Sequence, residues 1–207
     1  MKTCVCIPCY NCEKQIVRVL KGFQAARDLY ERIADIIIID NKSTDGTVDA
    51  AISTAKFYGL GKIKVIQNNE NYGLGGSHKV AFLYGMETGA DYVAILHGDN
   101  QARTEELGLL IAKAESNQDI SAVLGSRFMW KSNLSGYSYL RTIGNYALNL
   151  FYTLITLRVT TDLGSGLNLF RLKALHDKHF LGFSDRFTFN IDLLLDYYRK
   201  KSPIVFV

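Results

Sequence analysis

The residues best placed to do chemistry in this chain stand in one short run, His97-Gly98-Asp99-Asn100-Gln101, directly behind the apolar stretch Tyr92 to Leu96. A carboxylate flanked by an imidazole and two amides can ligate a hard cation or hydrogen-bond a polar ligand. The apolar residues before it read as a buried strand that delivers those groups at its carboxyl end, where an open α/β sheet keeps its ligand. An aspartate that merely caps the next turn would explain the same carboxylate, so the surrounding elements must decide.

Those elements are legible on both sides of the run. Thr3 to Cys9 reads as a strand ended by Pro8, followed by a helix with Asn11 as N-cap, Glu13 in its first turn and Ile16, Leu20 and Phe23 along one face. Ile36 to Asp40 is a β-branched run of central-strand type that stops at a carboxylate. Asn41 to Thr47 is turn chemistry leading into a helix with Val48, Ile52 and Ala55 on one face and Gly59 as its stop. Lys62 to Gln67 gives a third strand, and Asn71 to Ser77 a glycine-rich turn before a helix carrying Val80 and Tyr84. As a dinucleotide fingerprint this turn fails, because it follows a third strand and His78 stands where the last glycine should be. Direct ligand contact and a tight turn that lets a helix approach the sheet are its two readings.

After the opening run, Thr104-Glu105-Glu106 starts a helix with Leu107, Leu110, Ile111 and Ala114 inward, and Ile120 to Leu124 is a fifth strand ending in Gly125-Ser126-Arg127. Alternation of strand and helix over the first ~130 residues predicts an α/β three-layer sandwich, a mainly parallel central sheet with helices on both faces. Its loops would gather Asp40, Asp99 and Arg127. The character then changes: Met129 to Ser138 is a polar loop, Tyr139 to Leu157 an apolar helix, Thr161 to Arg171 a glycine-containing stretch, and about Asn190 to Lys200 a last helix with a basic end. Ile204 to Val207 reads as an unfinished strand, which suggests a truncated or missing C-terminal segment.

With 207 residues and 48% hydrophobic content the chain is expected to be one domain with a full core. A net charge of +4 is too small to argue for nucleic acid, yet suits a polyanionic ligand or an anionic membrane face. No signal peptide is visible, which points to the cytosol. Thr142 to Leu157, between Arg141 and Arg158, is too short and too polar to span a bilayer and reads as an amphipathic helix. Cys4, Cys6, Cys9 and Cys12 could in principle hold a metal or an iron–sulfur cluster. Small buried residues in a reducing compartment account for them more cheaply, since Cys4 and Cys6 share one strand face while Cys9 and Cys12 fall in the turn.

Taken in order, Ile7-Pro8-Cys9-Tyr10-Asn11, Ile39 to Thr47, Asn71-Tyr72-Gly73-Leu74-Gly75, Gly98 to Gln101, Gly125-Ser126-Arg127, Thr161 to Arg171 and Phe189 to Leu194 resemble family 2 glycosyltransferases. Within that family they are most similar to polyprenyl-phosphate sugar synthases related to dolichyl-phosphate mannose synthase. The resemblance implies a GT-A fold, a nucleoside-diphosphate sugar donor and a divalent cation, Mn²⁺ or Mg²⁺, bridging its phosphates. It divides the domain into a donor-binding half over 1–128 and an acceptor half over 129–207. Carried over, Asp40 would hydrogen-bond the base or ribose above a floor of Pro8, Tyr10 and Asn11, with Asn71, Gly75 and His97 also on the donor side. Asp99 would ligate the metal with help from Gln101, and Arg127 or Arg171 would meet phosphate. Arg141, Asp162 and Ser165 would lie toward the acceptor, and Asp192 is the candidate base.

Two departures from the family pattern stand out. His97 replaces the first aspartate of Asp-x-Asp, either as a ligand that favours Mn²⁺ or as a structural hydrogen-bonding group. Asn41-Lys42 replaces Asp-Gly, changing the charge beside the nucleotide. A lipid-phosphate acceptor would arrive already anionic and need no base, whereas a hydroxyl of a growing glycan needs a carboxylate such as Asp192; solvent-facing placement of Asp192 is the plainer alternative. The helix over 139–157 suits either a peripheral contact at the cytoplasmic face of a membrane or a place in the core. An inverting transferase is the leading reading. A catalytically silent nucleotide-sugar binder and a sugar nucleotidyltransferase are its rivals, although Cys9-Tyr10-Asn11 is not the basic glycine-rich loop the latter wants.

Overall fold

The structure, a computed structural model, describes residues 1–128 and 139–207. Its strands are β1 (Thr3–Cys9), β2 (Asp35–Asp40), β3 (Ile63–Gln67), β4 (Tyr92–Leu96), β5 (Ala122–Leu124), β6 (Leu167–Arg171) and β7 (Ile204–Phe206). Its helices are α1 (Glu13–Ala25), α2 (Arg27–Arg32), α3 (Thr47–Phe57), α4 (Gly73–Glu87), α5 (Leu107–Ser116), α6 (Tyr139–Thr156) and α7 (Phe189–Arg199). The strands form one sheet in the order β3-β2-β1-β4-β6-β5-β7, parallel throughout except for β6, which runs against both its neighbours. The expected mainly parallel α/β sheet is therefore present.

Alternation along the strands splits the core into two layers. Val5, Ile7, Ile36, Ile38, Ala94 and Leu96 face α1, α3 and α5, while Cys4, Cys6, Ile37, Ile39, Val93 and Ile95 face α4 and α7. Ile36 through Ile39 are wholly buried, as a strand covered on both faces requires. Each such side chain contributes roughly 1.5–3 kcal/mol of burial. The shared face of Cys4 and Cys6 is as the alternation predicts, and all four cysteines are free and buried.

Several local expectations shift by a residue or a face. Cys12, not Asn11, is the N-cap of α1, and its helix start is capped from another loop: Cys12 N donates to Thr47 Oγ1 at 2.8 Å and Glu13 N to Asp45 Oδ2 at 3.2 Å. In α3 the buried residues are Thr47, Ala51, Thr54 and Ala55, and Ile52 is exposed, because the small residues are those that allow α3 to pack on α1. Gly59 does end that helix, with φ +62°. In α4 the buried face includes Gly75, His78, Ala81, Phe82 and Gly85, with Val80 and Tyr84 packed partly buried at its margin. A β-carbon on Gly85 would stand 2.3 Å from Val93 Cγ2, so this face lies too close to β4 for larger side chains. The loop expected at Met129 to Ser138 lies outside the described residues.

The α6 helix is not a core helix. Of its described side chains from 142 onward, only Asn149 is buried. Asn149 Nδ2 donates to Thr161 O at 2.6 Å and Thr160 N donates to Thr153 Oγ1 at 3.0 Å, so the polar stripe faces the protein. Ile143, Leu150, Phe151, Leu154 and Ile155 face solvent. No helix among the described residues is long and apolar enough to cross a membrane.

His78 is buried among the rings of Phe82, Phe189 and His97. Its Nδ1 donates to Leu74 O at 2.8 Å, and its Nε2 is buried without a partner. Burial, with a smaller push from His97, lowers its pKa from 6.5 to about 3. The imidazole stays neutral in the fold while the unfolded chain takes up a proton below pH 6.5, so the stability it contributes is present above 6.5 and lost as pH falls toward 3. The loss amounts to roughly 3–5 kcal/mol. Urea midpoints of His78→Leu followed from pH 7 to pH 4 should fall less than those of the parent; an unchanged slope would remove His78 from the account.

Candidate active site at the switch point between two strands

The chain lays β1, β2 and β3 outward in one direction and then returns to place β4 on the other side of β1. That reversal leaves a crevice above the carboxyl ends of β1 and β4, the usual ligand position in an open α/β sheet. Four segments meet there. Pro8 O accepts from Gly98 N at 3.0 Å, Asn41 N donates to Cys9 O at 2.8 Å, and His97 N donates to Gly166 O at 2.9 Å. The turn after β1, the loop after β2, the run after β4 and the entry to β6 are thus one hydrogen-bonded rim.

Gly98 is the closest point of that rim. A β-carbon there would lie 2.5 Å from Cys9 Sγ, 3.0 Å from Pro8 O and 3.2 Å from Cys12 Sγ. Asp99 follows it, exposed, with Oδ1 accepting from Gln101 N at 3.1 Å, and Asn100 takes a left-handed turn at φ +59°. Asp99 and Gln101 therefore share one exposed turn above the crevice, as expected. Pro8 is buried beneath it and Tyr10 is exposed at its mouth. Asn11 turns left-handed and binds the opposite loop, its N donating to Ser43 Oγ at 2.9 Å and its Oδ1 accepting from Thr44 N at 2.8 Å.

Asp40 is wholly buried at the end of β2. Its Oδ2 accepts from Gln67 Nε2 at 2.8 Å and Ser43 N at 3.1 Å, while Oδ1 is a buried acceptor with no donor. An unpaired buried acceptor costs about 1–3 kcal/mol, a cost that a ligand hydroxyl or amide reaching it would offset. Beside it Asn41 uses its amide completely: Nδ2 donates to Asn71 Oδ1 at 2.7 Å and Gly73 O at 3.1 Å, and Oδ1 accepts from Asn68 Nδ2 at 3.0 Å and Tyr72 N at 2.9 Å. The sequence marks this residue as a change of charge; the structure makes it the clamp that holds the loop between β3 and α4. Lys42 next to it is exposed and left-handed at φ +66°, a conformation that glycine adopts without cost.

Several expected site residues have other work. Arg171 ends β6, which is antiparallel, so it lies opposite Tyr92 at the far edge of the sheet and donates to Gln118 O. It is not a phosphate ligand of this crevice. Gly75 sits against the 184–185 backbone, its N donating to Asp185 O at 2.8 Å, which is the close-approach reading of the glycine turn rather than ligand contact. Asn71 Oδ1 is taken by Asn41 and by Gly73 N at 2.9 Å. Ser165 is buried, its Oγ bonded to the backbone of Leu167. Asp162 is buried against Arg127: Arg127 Nε and Nη2 donate to Oδ2 and Oδ1 at 2.8 Å each, and Arg127 N donates to Oδ2 at 3.0 Å. The two residues expected on opposite sides of the site are one strut. The side chain of Arg141 lies outside the described residues.

His97 resolves toward its structural reading. Its Nε2 is buried without a partner and its ring lies against Gly166 and His78. Burial, helped by Arg127, lowers its pKa to about 4, so it is neutral. Its Nε2 is turned inward, while the residue as a whole is half-buried. Asp192, in the first turn of α7 and half-buried, accepts from Ser184 N at 3.1 Å and so closes the loop that Gly73 and Gly75 touch. Among the described residues no group of three or more His, Cys, Asp or Glu could hold a metal unaided. The exposed Asp99 fits a cation that arrives already bound to a diphosphate, since Mg²⁺-type ions commonly take one or two carboxylates and complete their shell with phosphate and water.

The Asp162 carboxylate is only 1% exposed, so removing its partner leaves a buried charge. Arg127→Met should cost about 3–5 kcal/mol in urea unfolding, and adding Asp162→Asn should recover part of that loss. A double variant as unstable as the single one would show that the ion pair is not the strut.

The sequence profile of Glycosyl transferase family 2 matches residues 4–179. An undecaprenyl-phosphate mannosyltransferase of Micrococcus luteus is 25% identical over 175 residues, 84% of this chain and 68% of that protein. A UDP-N-acetylglucosamine–dolichyl-phosphate N-acetylglucosaminyltransferase of Methanococcus voltae is 26% identical over 179 residues, 82% of this chain and 69% of that protein. An uncharacterized protein of Methanocaldococcus jannaschii is 28% identical over 174 residues, 82% of this chain and 65% of that protein. The chain thus spans about two thirds of the length of these relatives. Among solved structures, glucosyl-3-phosphoglycerate synthase of Mycobacterium tuberculosis in complex with Mn²⁺, UDP and phosphoglyceric acid superposes with a TM-score of 0.74 at 19% identity, covering 100% of this chain and 68% of that one. The fold is therefore that of the GT-A glycosyltransferases, and the chain belongs to glycosyl transferase family 2.

Proposed function

We propose that the chain carries an inverting glycosyltransferase site that takes a nucleoside-diphosphate sugar and passes the sugar to a lipid phosphate. The observation that carries this reading is the convergence of Asp40, the Pro8 to Asn11 turn and the exposed Asp99 on one crevice. Asp40 receives the nucleoside through its unpaired Oδ1, the exposed Tyr10 covers the mouth, and Asp99 faces the diphosphate. A divalent cation held between Asp99, with Gln101 beside it, and the diphosphate would offset the charge that develops on the leaving group. Two of the relatives are named for polyprenyl-phosphate acceptors, and the structural neighbour was solved with UDP and Mn²⁺.

The acceptor reading draws on α6. Its polar stripe is turned to the protein and its apolar stripe outward, which suits a peripheral contact at a membrane surface where a lipid phosphate resides. A phosphate acceptor is already a nucleophile and needs no base, so Asp192 keeps its structural bond to Ser184 and serves as base only if the acceptor is a hydroxyl. A catalytically silent nucleotide-sugar binder is the second reading, favoured by the inward-turned Nε2 of His97 and by Asp99 as the carboxylate of the crevice turn. Turnover separates the two.

Calorimetric titration with UDP, GDP and CDP, each with Mn²⁺, Mg²⁺ or chelator, should show one nucleotide bound at least about tenfold more tightly with metal, an advantage lost in Asp99→Ala. Comparable binding with Mn²⁺ and Mg²⁺ is expected if the buried Nε2 of His97 takes no part in metal ligation. No nucleotide bound under any condition would overturn the reading. Transfer from the matching sugar nucleotide to polyprenyl phosphate in liposomes should survive Asp192→Asn within a few-fold, whereas a hydroxyl acceptor would lose about 10²–10⁴. In the same assay Leu154→Glu with Ile155→Glu should lower the rate while leaving nucleotide affinity unchanged; an unaffected rate would remove α6 from the acceptor side.

A further inference from the structure

We propose that Cys9 and Cys12 form an intramolecular disulfide by exchange with a small-molecule disulfide, and that this bond weakens nucleotide binding at the crevice. The second clause rests on the function proposed above; the first does not. Cys9 is the last residue of β1 and Cys12 the N-cap of α1, with only Tyr10 and the left-handed Asn11 between them. This reversal turns both side chains to the same side. Both sulfurs crowd the single point where Gly98 lacks a β-carbon, at 2.5 Å and 3.2 Å. Both are free.

The pair is asymmetric. The neighbouring Cys9 thiol holds the Cys12 thiol below its ordinary value, and Cys12 together with burial holds Cys9 well above. Cys12 is therefore the attacking sulfur. Its thiolate displaces one thiolate from the small disulfide, giving a mixed disulfide. Cys9 then loses its proton to solvent, attacks the Cys12 sulfur and expels the second thiolate. Two protein thiols are oxidised and one small disulfide is reduced to two thiols. Both sulfurs are buried under the Tyr10–Asn11 turn, whose two side chains are exposed, so exchange proceeds when this turn opens.

Bond formation brings the sulfurs to ~2.05 Å and pulls them away from their contact with Gly98. Pro8 O and Gly98 N are bonded across the same junction, so the floor of the crevice and the turn bearing Asp99 shift relative to each other. Cys4 and Cys6 supply an internal control. They are also buried neighbours, but they lie on the opposite face of β1 beneath α4, two residues apart on an extended strand whose geometry disfavours a bridge.

All four cysteines fall on one tryptic peptide, Thr3 to Lys14. Reduced native protein would be incubated with oxidised glutathione, quenched in acid, alkylated after denaturation and fragmented on the amino side of Pro8. The expected result is a peptide two hydrogens lighter whose linkage maps to Cys9 and Cys12, with Cys4 and Cys6 alkylated. It should be reversed by dithiothreitol and abolished by Cys9→Ser but not by Cys4→Ser. No linkage, a linkage to Cys4 or Cys6, or one that forms only in denaturant would overturn the proposal. Nucleotide titration of the two forms should give at least about tenfold weaker binding to the oxidised one. Equal affinity would overturn the coupling. Absence of binding in both forms would overturn the function proposed above, and the linkage map would still decide the disulfide.

Discussion

The site depends on how closely β1 and β4 approach where the chain reverses direction in the sheet. Gly98 meets Cys9, Cys12 and Pro8 at distances that leave no room for a side chain, and its N–H is bonded to Pro8 O. A larger residue at position 98 would part the two strand ends or lift the following turn. Asp99 stands exposed above the crevice because the residue before it is the point of contact. The same logic acts at Gly166, where a β-carbon would stand 2.8 Å from His97 Nδ1, so the entry to β6 also closes on this rim. Backbone proximity, set by missing side chains, is what aims the polar groups.

Around that junction the charges divide into those used by the fold and those left to a ligand. Asp162 and Arg127 neutralise each other in a nearly buried pair, Asp45 holds the start of α1, and Asp192 closes a loop. Asp99 is bonded only locally, and Asp40 keeps one buried oxygen without a donor. A crevice with so little fixed negative charge holds a cation weakly on its own and gains one with an anionic ligand. On the function proposed above, metal and nucleotide would bind as a unit, each supplying what the other lacks.

The sheet and the location of the site were legible because they rest on local patterns: β-branched runs bounded by carboxylates, and turns rich in Gly, Asn and Asp. Ile36 to Asp40 and Tyr92 to Leu96 are strands that end where the polar groups begin, as expected. What escaped were pairings set by topology. Nothing local in Leu167 to Arg171 says that this strand runs antiparallel, and that direction alone carries Arg171 to the wrong edge of the sheet. His97 could be read as a ligand until its ring was seen packed beneath Gly166 and beside His78. The α3 face slipped for a related reason: close packing on α1 selects small residues, so the larger Ile52 turns outward although hydrophobicity favours the reverse. On α6 the periodicity was visible, but which stripe meets the protein was not.

The amide of Asn41 has a consequence for how this sequence can change over time. Its nitrogen donates to Asn71 and Gly73 while its oxygen accepts from Asn68 and Tyr72, so it needs both halves of an amide at once. An aspartate here, the residue usual at this position in the resembling family, can accept but not donate. It would face Asn71 Oδ1 and Gly73 O with no proton to offer. Asn71 would then have to turn its own amide over or be replaced. Positions 41 and 71 thus form an epistatic pair: lineages that keep the amide at 41 should keep an acceptor at 71, and those that revert to the acid should carry a donor there.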